Sequence, residues 1–210
     1  ILISLIAGVS IGAILALIRD NMDNVFHSSD ELKDSDLTIL GEIPFVNIFE
    51  NLKTLENIRN WYLGPNAVSV ESGDNNQSYY LDAFRNLFTS IKFFGSENPL
   101  RVISLTSTEP LEGKSSISLM LSKTLSEVGQ NILLIDCDMR QPHLHEKLNL
   151  DNKKGLTNVL TEKDGLKDWQ KYIQEISNHG SWKLISSGTI PPDPTRILSS
   201  RKMHDFVKIL

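Results

Sequence analysis

The stretch RVISLTSTEPLEGKSSIS, residues 101–118, carries the pattern that decides the fold. Its first six residues are mostly β-branched or apolar, which predicts a buried strand over residues 101–106. The triplet Gly-Lys-Ser at residues 113–115 then matches the end of a phosphate-binding loop, although Thr108 stands where such loops have their first glycine. Apolar residues at helical spacing predict a helix over residues 115–128, with Gly129 as its stop signal. A loop between a strand and a helix indicates a phosphate site more strongly than a surface turn with the same letters.

A second apolar run, NILLI at residues 131–135, leads into two acids, Asp136 and Asp138. Strand, loop, helix and strand in this order form a βαβ unit, which predicts a parallel sheet and an α/β fold. Ligands of such sheets bind beyond the carboxyl ends of the strands, where both acids are expected. Mg²⁺ prefers oxygen ligands and shares them with substrate phosphates, so the two acids are candidate metal ligands. The alternative is a solvated pair of loop acids.

The residue types of the loop suit a nucleotide. Backbone N–H groups at the start of a helix attract phosphate. Lys114 is placed to reach the β- and γ-phosphates, and the Ser115 hydroxyl is placed to ligate Mg²⁺. The formal net charge of −5 gives no support to nucleic-acid binding. A single cysteine, Cys137, excludes an internal disulfide framework and suits a reducing compartment.

Further elements are predicted on either side of this unit. Helical spacing favours helices over residues 79–94, 155–160, 169–176 and 203–210, and WKLI at residues 182–185 predicts a third strand. Residues 1–18 carry no charge and are long enough to span a bilayer as a helix. A signal-peptide core and a buried helix are the alternatives, but no basic start or cleavage site is present.

These patterns predict three parts: a transmembrane helix over residues 1–18, a juxtamembrane linker over 19–77 and an α/β domain over 78–210. Because the chain begins with Ile1 inside an apolar run, we expect it to be part of a longer polypeptide.

Five segments together carry a family resemblance: LTILGEIP (37–44), EPLEGKSSIS (109–118), ILLIDCDMRQPHLHEKLNL (132–150), GLTNVL (155–160) and SSGTIPPDPTRILSS (186–200). They resemble the bacterial tyrosine kinases that are joined to chain-length determinants of exopolysaccharide and capsule export. The resemblance implies a P-loop NTPase-like parallel sheet flanked by helices and preceded by one transmembrane helix. It implies an ATP- and Mg²⁺-dependent protein-tyrosine autokinase that regulates polymer chain length and export.

The same resemblance implies partners and a location. It implies homo-oligomers whose members phosphorylate one another's tyrosines, and contacts with the polysaccharide export and polymerisation proteins. It places the protein in the bacterial inner membrane with the kinase domain in the cytoplasm.

The resemblance also implies roles for individual residues. Lys114, Asp136 and Asp138 would be catalytic, and Mg²⁺ would be held by Ser115, Asp136 and Asp138. The nucleotide would contact Pro110, Leu111, Glu112, Gly113, Lys114, Ser115, Ser116 and Arg140. Asp82 and Arg85 would contact a neighbouring subunit, with a surface ion pair between positions i and i+3 as the alternative.

Several features depart from the family pattern. Leu111 replaces a loop glycine, and a side chain is tolerated there only at negative φ. Phe88 replaces the second arginine of the oligomer motif, which weakens the expected ring assembly. A strand that ends in a third aspartate, expected just after Leu210, and a tyrosine-rich tail are not part of this sequence. We therefore expect incomplete nucleotide binding and little transfer by this stretch alone.

Two other functions stay open. A ParA/MinD-like ATPase switch would share the βαβ core, but that group carries an extra lysine where this chain has Glu109. A non-catalytic scaffold subunit of the export machinery would keep the fold and lose the transfer, with Leu111 and Phe88 as its marks. Mg²⁺-dependent ATP binding together with phosphotyrosine favours the kinase, and binding without phosphotyrosine favours the scaffold.

Overall fold

The structure, a computed structural model, describes residues 2–22, 38–44, 62–63, 75–96, 100–176 and 181–210. The chain divides into two compact units, Ile1–Glu42 and Ile43–Leu210. Most of the linker predicted for residues 19–77 lies outside the described residues. The domain boundary predicted at residue 78 stays a prediction.

The first unit contains helix α1, at Leu2–Met22. Its described apolar side chains are exposed, among them Val9, Ile14 and Leu17. Within the part of the chain that the structure describes, no helix is both long and apolar enough to cross a membrane. Residues 1–18 are therefore helical from residue 2 onward, as predicted, but the prediction of a transmembrane span is not supported.

The second unit alternates helices with short strands. In chain order its elements are α2 (Asn75–Phe94), α3 (Lys114–Glu127), β1 (Ile132–Ile135), α4 (Leu144–Leu148), α5 (Leu156–Thr161), a 3-10 turn (Trp169–Tyr172), β2 (Gln174–Glu175), β3 (Trp182–Ile185), α6 (Pro194–Leu198) and α7 (Arg201–Ile209). The helices predicted over residues 79–94, 115–128, 155–160 and 203–210 are confirmed with small shifts of their bounds, as are the second and third strands. Gly129 ends α3 with φ 83°, and its N–H reaches the Ser126 carbonyl at 3.0 Å.

The strands form a mixed sheet in the order β1-β3-β2. β1 and β3 are parallel, with Ile132 opposite Trp182 and Ile135 opposite Ile185. β2 pairs antiparallel with β3. The α/β fold is confirmed, whereas the sheet is mixed rather than purely parallel. The helix predicted over residues 169–176 is wrong beyond the 3-10 turn, because residues 174 and 175 pair with β3 instead.

The strand predicted over residues 101–106 is not formed. These residues have no regular secondary structure and are exposed, with Val102 at 47% and Ile103 at 44%. A strand is stabilised by hydrogen bonds to a neighbouring strand, and none of the described strands pairs with this segment. The parallel crossover of this structure therefore runs from β1 to β3 rather than through the phosphate loop.

Helices cover both faces of the sheet. Trp182 and Leu184 pack into a cluster with Leu119 of α3, whereas Ile185 packs into a second cluster with Phe206 of α7. Successive side chains of a strand point to opposite faces, which explains this division. All five side chains are nearly or fully buried. Each contributes about 1.5–3 kcal/mol by leaving water.

Candidate nucleotide-binding site

The phosphate loop, residues 107–114, is a turn that its own polar groups hold together. Ser107 Oγ donates to the Glu109 carbonyl oxygen at 2.8 Å. Lys114 Nζ donates to the same carbonyl at 3.1 Å and also to Ser107 Oγ. The Lys114 ammonium group therefore lies inside the turn, as a lysine that receives phosphate must.

The Glu112 carboxylate accepts a hydrogen bond from a backbone N–H group that could otherwise bind phosphate. Its Oε2 accepts the Glu109 N–H at 3.1 Å. This backbone hydrogen bond lowers the pKa of the Glu112 carboxyl. A phosphate bound in the loop would compete with this carboxylate for the same N–H group.

Gly113 connects the turn to helix α3. It has φ 86°, a conformation that residues with a Cβ rarely adopt. Its carbonyl accepts the Ile117 N–H at 2.8 Å. The first turn of α3 contains no acidic residue, so no side chain of the helix itself neutralises the positive end of the helix dipole. This end of α3 therefore suits an anionic group.

Leu111 has a backbone conformation that a residue with a side chain rarely adopts. It has φ 67°, in the left-handed region, and its side chain is fully exposed. A leucine at this loop position is expected to have a negative φ, and the structure shows the opposite sign. The left-handed conformation costs a leucine roughly 1–2 kcal/mol, and an exposed side chain recovers none of that by burial.

Asp136 ends β1 and is almost fully buried, with 4% of its surface exposed. Its Oδ1 accepts the Asp138 N–H at 3.0 Å, whereas its Oδ2 is buried without a hydrogen-bond partner. Burial raises the pKa of this carboxyl. Leaving a buried carboxylate oxygen unpartnered is costly, and a bound cation would remove that cost. Asp136 therefore fits the metal role that the sequence predicts.

Asp138 and Arg140 shape the loop that follows β1. Asp138 Oδ1 accepts the N–H groups of Arg140 at 3.1 Å and of Gln141 at 2.9 Å. One carboxylate oxygen of Asp138 is thus engaged with the backbone. Arg140 Nη2 donates to Thr195 Oγ1 at 3.2 Å, which joins this loop to α6. The nucleotide contact predicted for Arg140 stays a prediction.

One contact joins the start of α3 to the segment after the two acids. Lys147 Nζ, on α4, donates to Ser116 Oγ at 3.1 Å. Burial lowers the pKa of Lys147. Lys147 is not among the site residues predicted from the sequence, although the sequence contains a signal for it. Lys147 lies three positions after the buried Leu144 and next to the buried Leu148, and a lysine on the inner side of a helix is unusual.

Tyr62 approaches the same serine from upstream. It is fully buried in the core cluster that contains Trp182. Burial raises the pKa of its hydroxyl, and the nearby Ser116 side chain opposes that rise. Ser116, predicted to contact the nucleotide, therefore lies beside Tyr62 and accepts a hydrogen bond from Lys147 in this structure.

The loop and the acids are linked only indirectly. Over residues 100–176, all of which the structure describes, no hydrogen bond or ion pair joins residues 107–115 to Asp136 or Asp138. The Lys147–Ser116 hydrogen bond joins the start of α3 to α4, the helix that follows the two acids in the chain. The roles predicted for Pro110 and Ser115 stay predictions.

The donor set suits Mg²⁺ bound together with phosphate. Among the described residues, no group of three or more His, Cys, Asp or Glu side chains is arranged to hold a metal ion. Mg²⁺ in nucleotide sites keeps several waters and takes one or two carboxylates plus substrate phosphates. The buried, unpartnered Oδ2 of Asp136 fits that donor set.

The residues predicted to touch a neighbouring subunit form a pair on α2. Arg85 Nη1 lies 2.9 Å from Asp82 Oδ1, and both side chains are more than half exposed. Exposed pairs of this kind contribute about 0–1 kcal/mol. The ion pair is therefore present, and the contact with a neighbour stays a prediction.

A Gly-Lys-Ser loop that opens a helix, together with a sheet that has helices on both faces, is the arrangement of P-loop domains of the α/β class. No family model matches the chain. The chain is 28% identical over 210 residues to the tyrosine-protein kinase wzc of Salmonella typhimurium, a match that covers 99% of this chain and 28% of that protein. It is 33% identical over 125 residues to the tyrosine-protein kinase YwqD of Bacillus subtilis, covering 60% of this chain and 51% of that protein.

A solved structure gives the same result for the fold. The kinase domain of the Escherichia coli tyrosine kinase ETK matches with a TM-score of 0.71 at 24% identity, over 88% of this chain and 69% of that chain. The resemblance to the bacterial tyrosine kinases is confirmed, since the matching proteins are tyrosine-protein kinases. It spans about a quarter of the Salmonella relative and about half of the Bacillus relative.

Proposed function

We propose that the intact protein is an ATP-dependent protein-tyrosine kinase. The observation that carries the proposal is the buried Asp136 carboxylate, whose Oδ2 has no hydrogen-bond partner. It ends a strand in a chain whose phosphate loop holds the Lys114 ammonium inside its turn. The Salmonella and Bacillus relatives are tyrosine-protein kinases, and the Salmonella match covers nearly the whole of this chain.

In the proposed reaction, the γ-phosphoryl group of ATP passes to a tyrosine hydroxyl. Mg²⁺, when bound with the nucleotide, supplies charge neutralisation on the phosphates. Lys114 holds the β- and γ-phosphates from inside the loop. Asp136 and the Ser115 hydroxyl would hold the cation. The protein contributes mainly positioning and charge stabilisation.

Phosphate binding exchanges contacts within the loop. Lys114 gives up its hydrogen bonds to Ser107 and to the Glu109 carbonyl. Glu112 releases the Glu109 N–H. These bonds lie at the surface, where a hydrogen bond contributes about 0.5–1.5 kcal/mol net, so the exchange costs little compared with binding a triphosphate.

The test is phosphotyrosine formation by the intact protein with ATP and Mg²⁺, measured by mass spectrometry. We expect phosphotyrosine in the wild type, its loss with EDTA, and a reduction of about 100-fold in Lys114→Ala, since one preorganised charge contact is removed. Lys153→Ala, an exposed lysine away from the loop, is the matched control and should retain activity. ATP binding without phosphotyrosine would favour the scaffold and overturn the kinase.

We propose that this kinase works at the bacterial inner membrane, with its kinase domain in the cytoplasm. There it regulates the chain length and export of exopolysaccharide or capsule through self-assembly. The charge-free run of residues 1–18 supports membrane attachment. Membrane fractionation of the intact protein and of a variant in which four of these residues become aspartate tests this. Equal release of both proteins by alkaline carbonate would contradict the proposal.

A further inference from the structure

The four tyrosines of the chain differ in accessibility. All four lie in described parts of the chain. Tyr62, Tyr80 and Tyr172 are at most 6% exposed, whereas Tyr79 is 70% exposed. An acceptor hydroxyl must line up with the γ-phosphate of ATP and the leaving oxygen. Tyr79 alone presents its hydroxyl without disturbing the core.

The three buried tyrosines are held by specific contacts. Tyr172 donates its hydroxyl to Glu162 Oε2 at 2.7 Å. Tyr80 packs edge-to-face on Phe84, with the ring centroids 5.1 Å apart. Burial raises the pKa of Tyr80 to about 12. Phosphorylation of any of the three would require local opening of the packed domain.

Tyr79 is the fifth residue of α2, a helix of 20 residues that begins at Asn75. The first turns of a helix lack part of their hydrogen bonds and open at low cost. A tyrosine at this end is therefore easily presented in the extended form that a kinase site accepts. Asp82 follows it by three residues and is also exposed, so both lie on the solvent side of the helix.

The surroundings of Tyr79 leave it open to a second molecule. Tyr80 and Phe84 pack in the cluster that contains Leu119 of α3, and α3 is the helix that the phosphate loop opens. Tyr79 is largely exposed to solvent and lies outside this cluster. A second molecule can therefore reach this side chain without displacing the core.

We propose that Tyr79 is phosphorylated by a second copy of this protein, an inference that rests on the kinase function proposed above. The Tyr79 oxygen attacks the γ-phosphorus of ATP·Mg²⁺ held in the loop of the other copy. A new P–O bond forms, the bond to the β-phosphate oxygen breaks, ADP leaves and the phenolic proton passes to water.

The test uses the intact protein in a mixture of two copies. A tagged Lys114→Ala copy, which cannot hold the phosphates, serves as the acceptor for the wild type with ATP and Mg²⁺. Tandem mass spectrometry should find phosphate on Tyr79 of the tagged copy at least tenfold above Tyr80. Tyr80→Phe in the acceptor should leave that label in place, whereas Tyr79→Phe should remove it and add none at residue 80.

A Glu-Tyr copolymer added to the same mixture separates the two proposals. Phosphorylation of the copolymer without any label on Tyr79 overturns this inference and leaves the kinase function standing. No label on either overturns both. Label on Tyr79 of the wild type but not of the Lys114→Ala copy overturns transfer between molecules.

Discussion

Two segments of the second unit lead from an apolar run into a polar loop, but they are held very differently. Residues 101–106 are exposed and pair with none of the described strands. Residues 132–135 pair along β3 and end in Asp136, which is almost fully buried. The acid of the proposed site is thus fixed by the sheet, whereas the loop depends on its own hydrogen bonds and on the first turn of α3. The acid side of the proposed site is therefore held rigidly, whereas its loop side can change conformation when a ligand binds.

This difference has an energetic meaning. Segments with few buried apolar contacts open locally at low free energy, whereas packed strands open only at close to the global free energy of unfolding. Substitutions in the sheet half should therefore change stability. Those in the loop half should change affinity for ATP with little effect on stability.

The largest effect is expected in the sheet half, at Gly155. A Cβ at this position would lie 2.1 Å from the Ser186 carbonyl oxygen and 2.6 Å from the Gly188 nitrogen, both of them backbone atoms that cannot turn aside. We expect Gly155→Ala to lower the free energy of unfolding by about 3 kcal/mol, measured by urea denaturation. Gly129→Asn is the control, since open space surrounds its Cβ position and asparagine tolerates positive φ. Equal stability of the two variants would show that the sheet half is not tightly packed.

Lys147 tests the contact between the halves. Lys147→Met keeps the buried stem and removes the charge that reaches Ser116. We expect the Kd for ATP to rise several-fold, because the ammonium group that orients Ser116, a predicted nucleotide contact, is removed. The unfolding free energy should not fall, because burial lowers the pKa of this lysine and so disfavours its charged form. Calorimetric titration and urea denaturation give the two numbers. A loss of stability with unchanged Kd would mean that Lys147 only packs.

Asp136 gives the comparison a pH dependence. Burial raises the pKa of its carboxyl, so the folded protein holds this proton more tightly than the unfolded chain. The stabilisation is therefore fully present below the ordinary pKa of aspartate and is lost as the pH rises through the folded-state pKa. Without Mg²⁺, Asp136→Asn should become more stable relative to the wild type as the pH rises above about 4, the ordinary pKa of aspartate, by an amount on the order of 1 kcal/mol. Asp138→Asn, at an exposed acid, serves as the control. If the unfolding free energies of the wild type and Asp136→Asn changed in parallel with pH, the buried carboxylate would not carry an unpartnered charge.

The smallest effect is expected at Leu111. Glycine adopts φ 67° without strain, so Leu111→Gly should lower the Kd for ATP a few-fold if nucleotide binding keeps this conformation. Leu111→Ala removes the exposed leucine but keeps the strain, and it should bind like the wild type. Equal Kd values for the wild type, Leu111→Gly and Leu111→Ala would show that backbone strain at residue 111 does not affect ATP binding.

Much of the sheet half could be predicted from the sequence, and the loop half could not. The runs ILLI and WKLI form strands because each finds the other as a parallel neighbour. The run RVISLT is also rich in β-branched and apolar residues, but no described strand pairs with it, and composition does not report pairing. Gly129 was identifiable because a positive φ at a helix end favours glycine. The hydrogen-bond partner of Lys147, Ser116, is 31 residues away in sequence. The only sequence signal for Lys147 was therefore its position on the inner side of α4.

The central claim is that Lys114 and Asp136 hold the same ATP·Mg²⁺, although no direct contact joins them. A double-mutant cycle of Lys114→Ala and Asp136→Asn, read as ATP affinity of the intact protein by calorimetry, tests it. With Mg²⁺ present, we expect the two losses to be non-additive by about 1 kcal/mol or more. With EDTA, only Lys114→Ala should weaken binding. Additive losses, or an Asp136→Asn effect that is independent of Mg²⁺, would contradict a shared site.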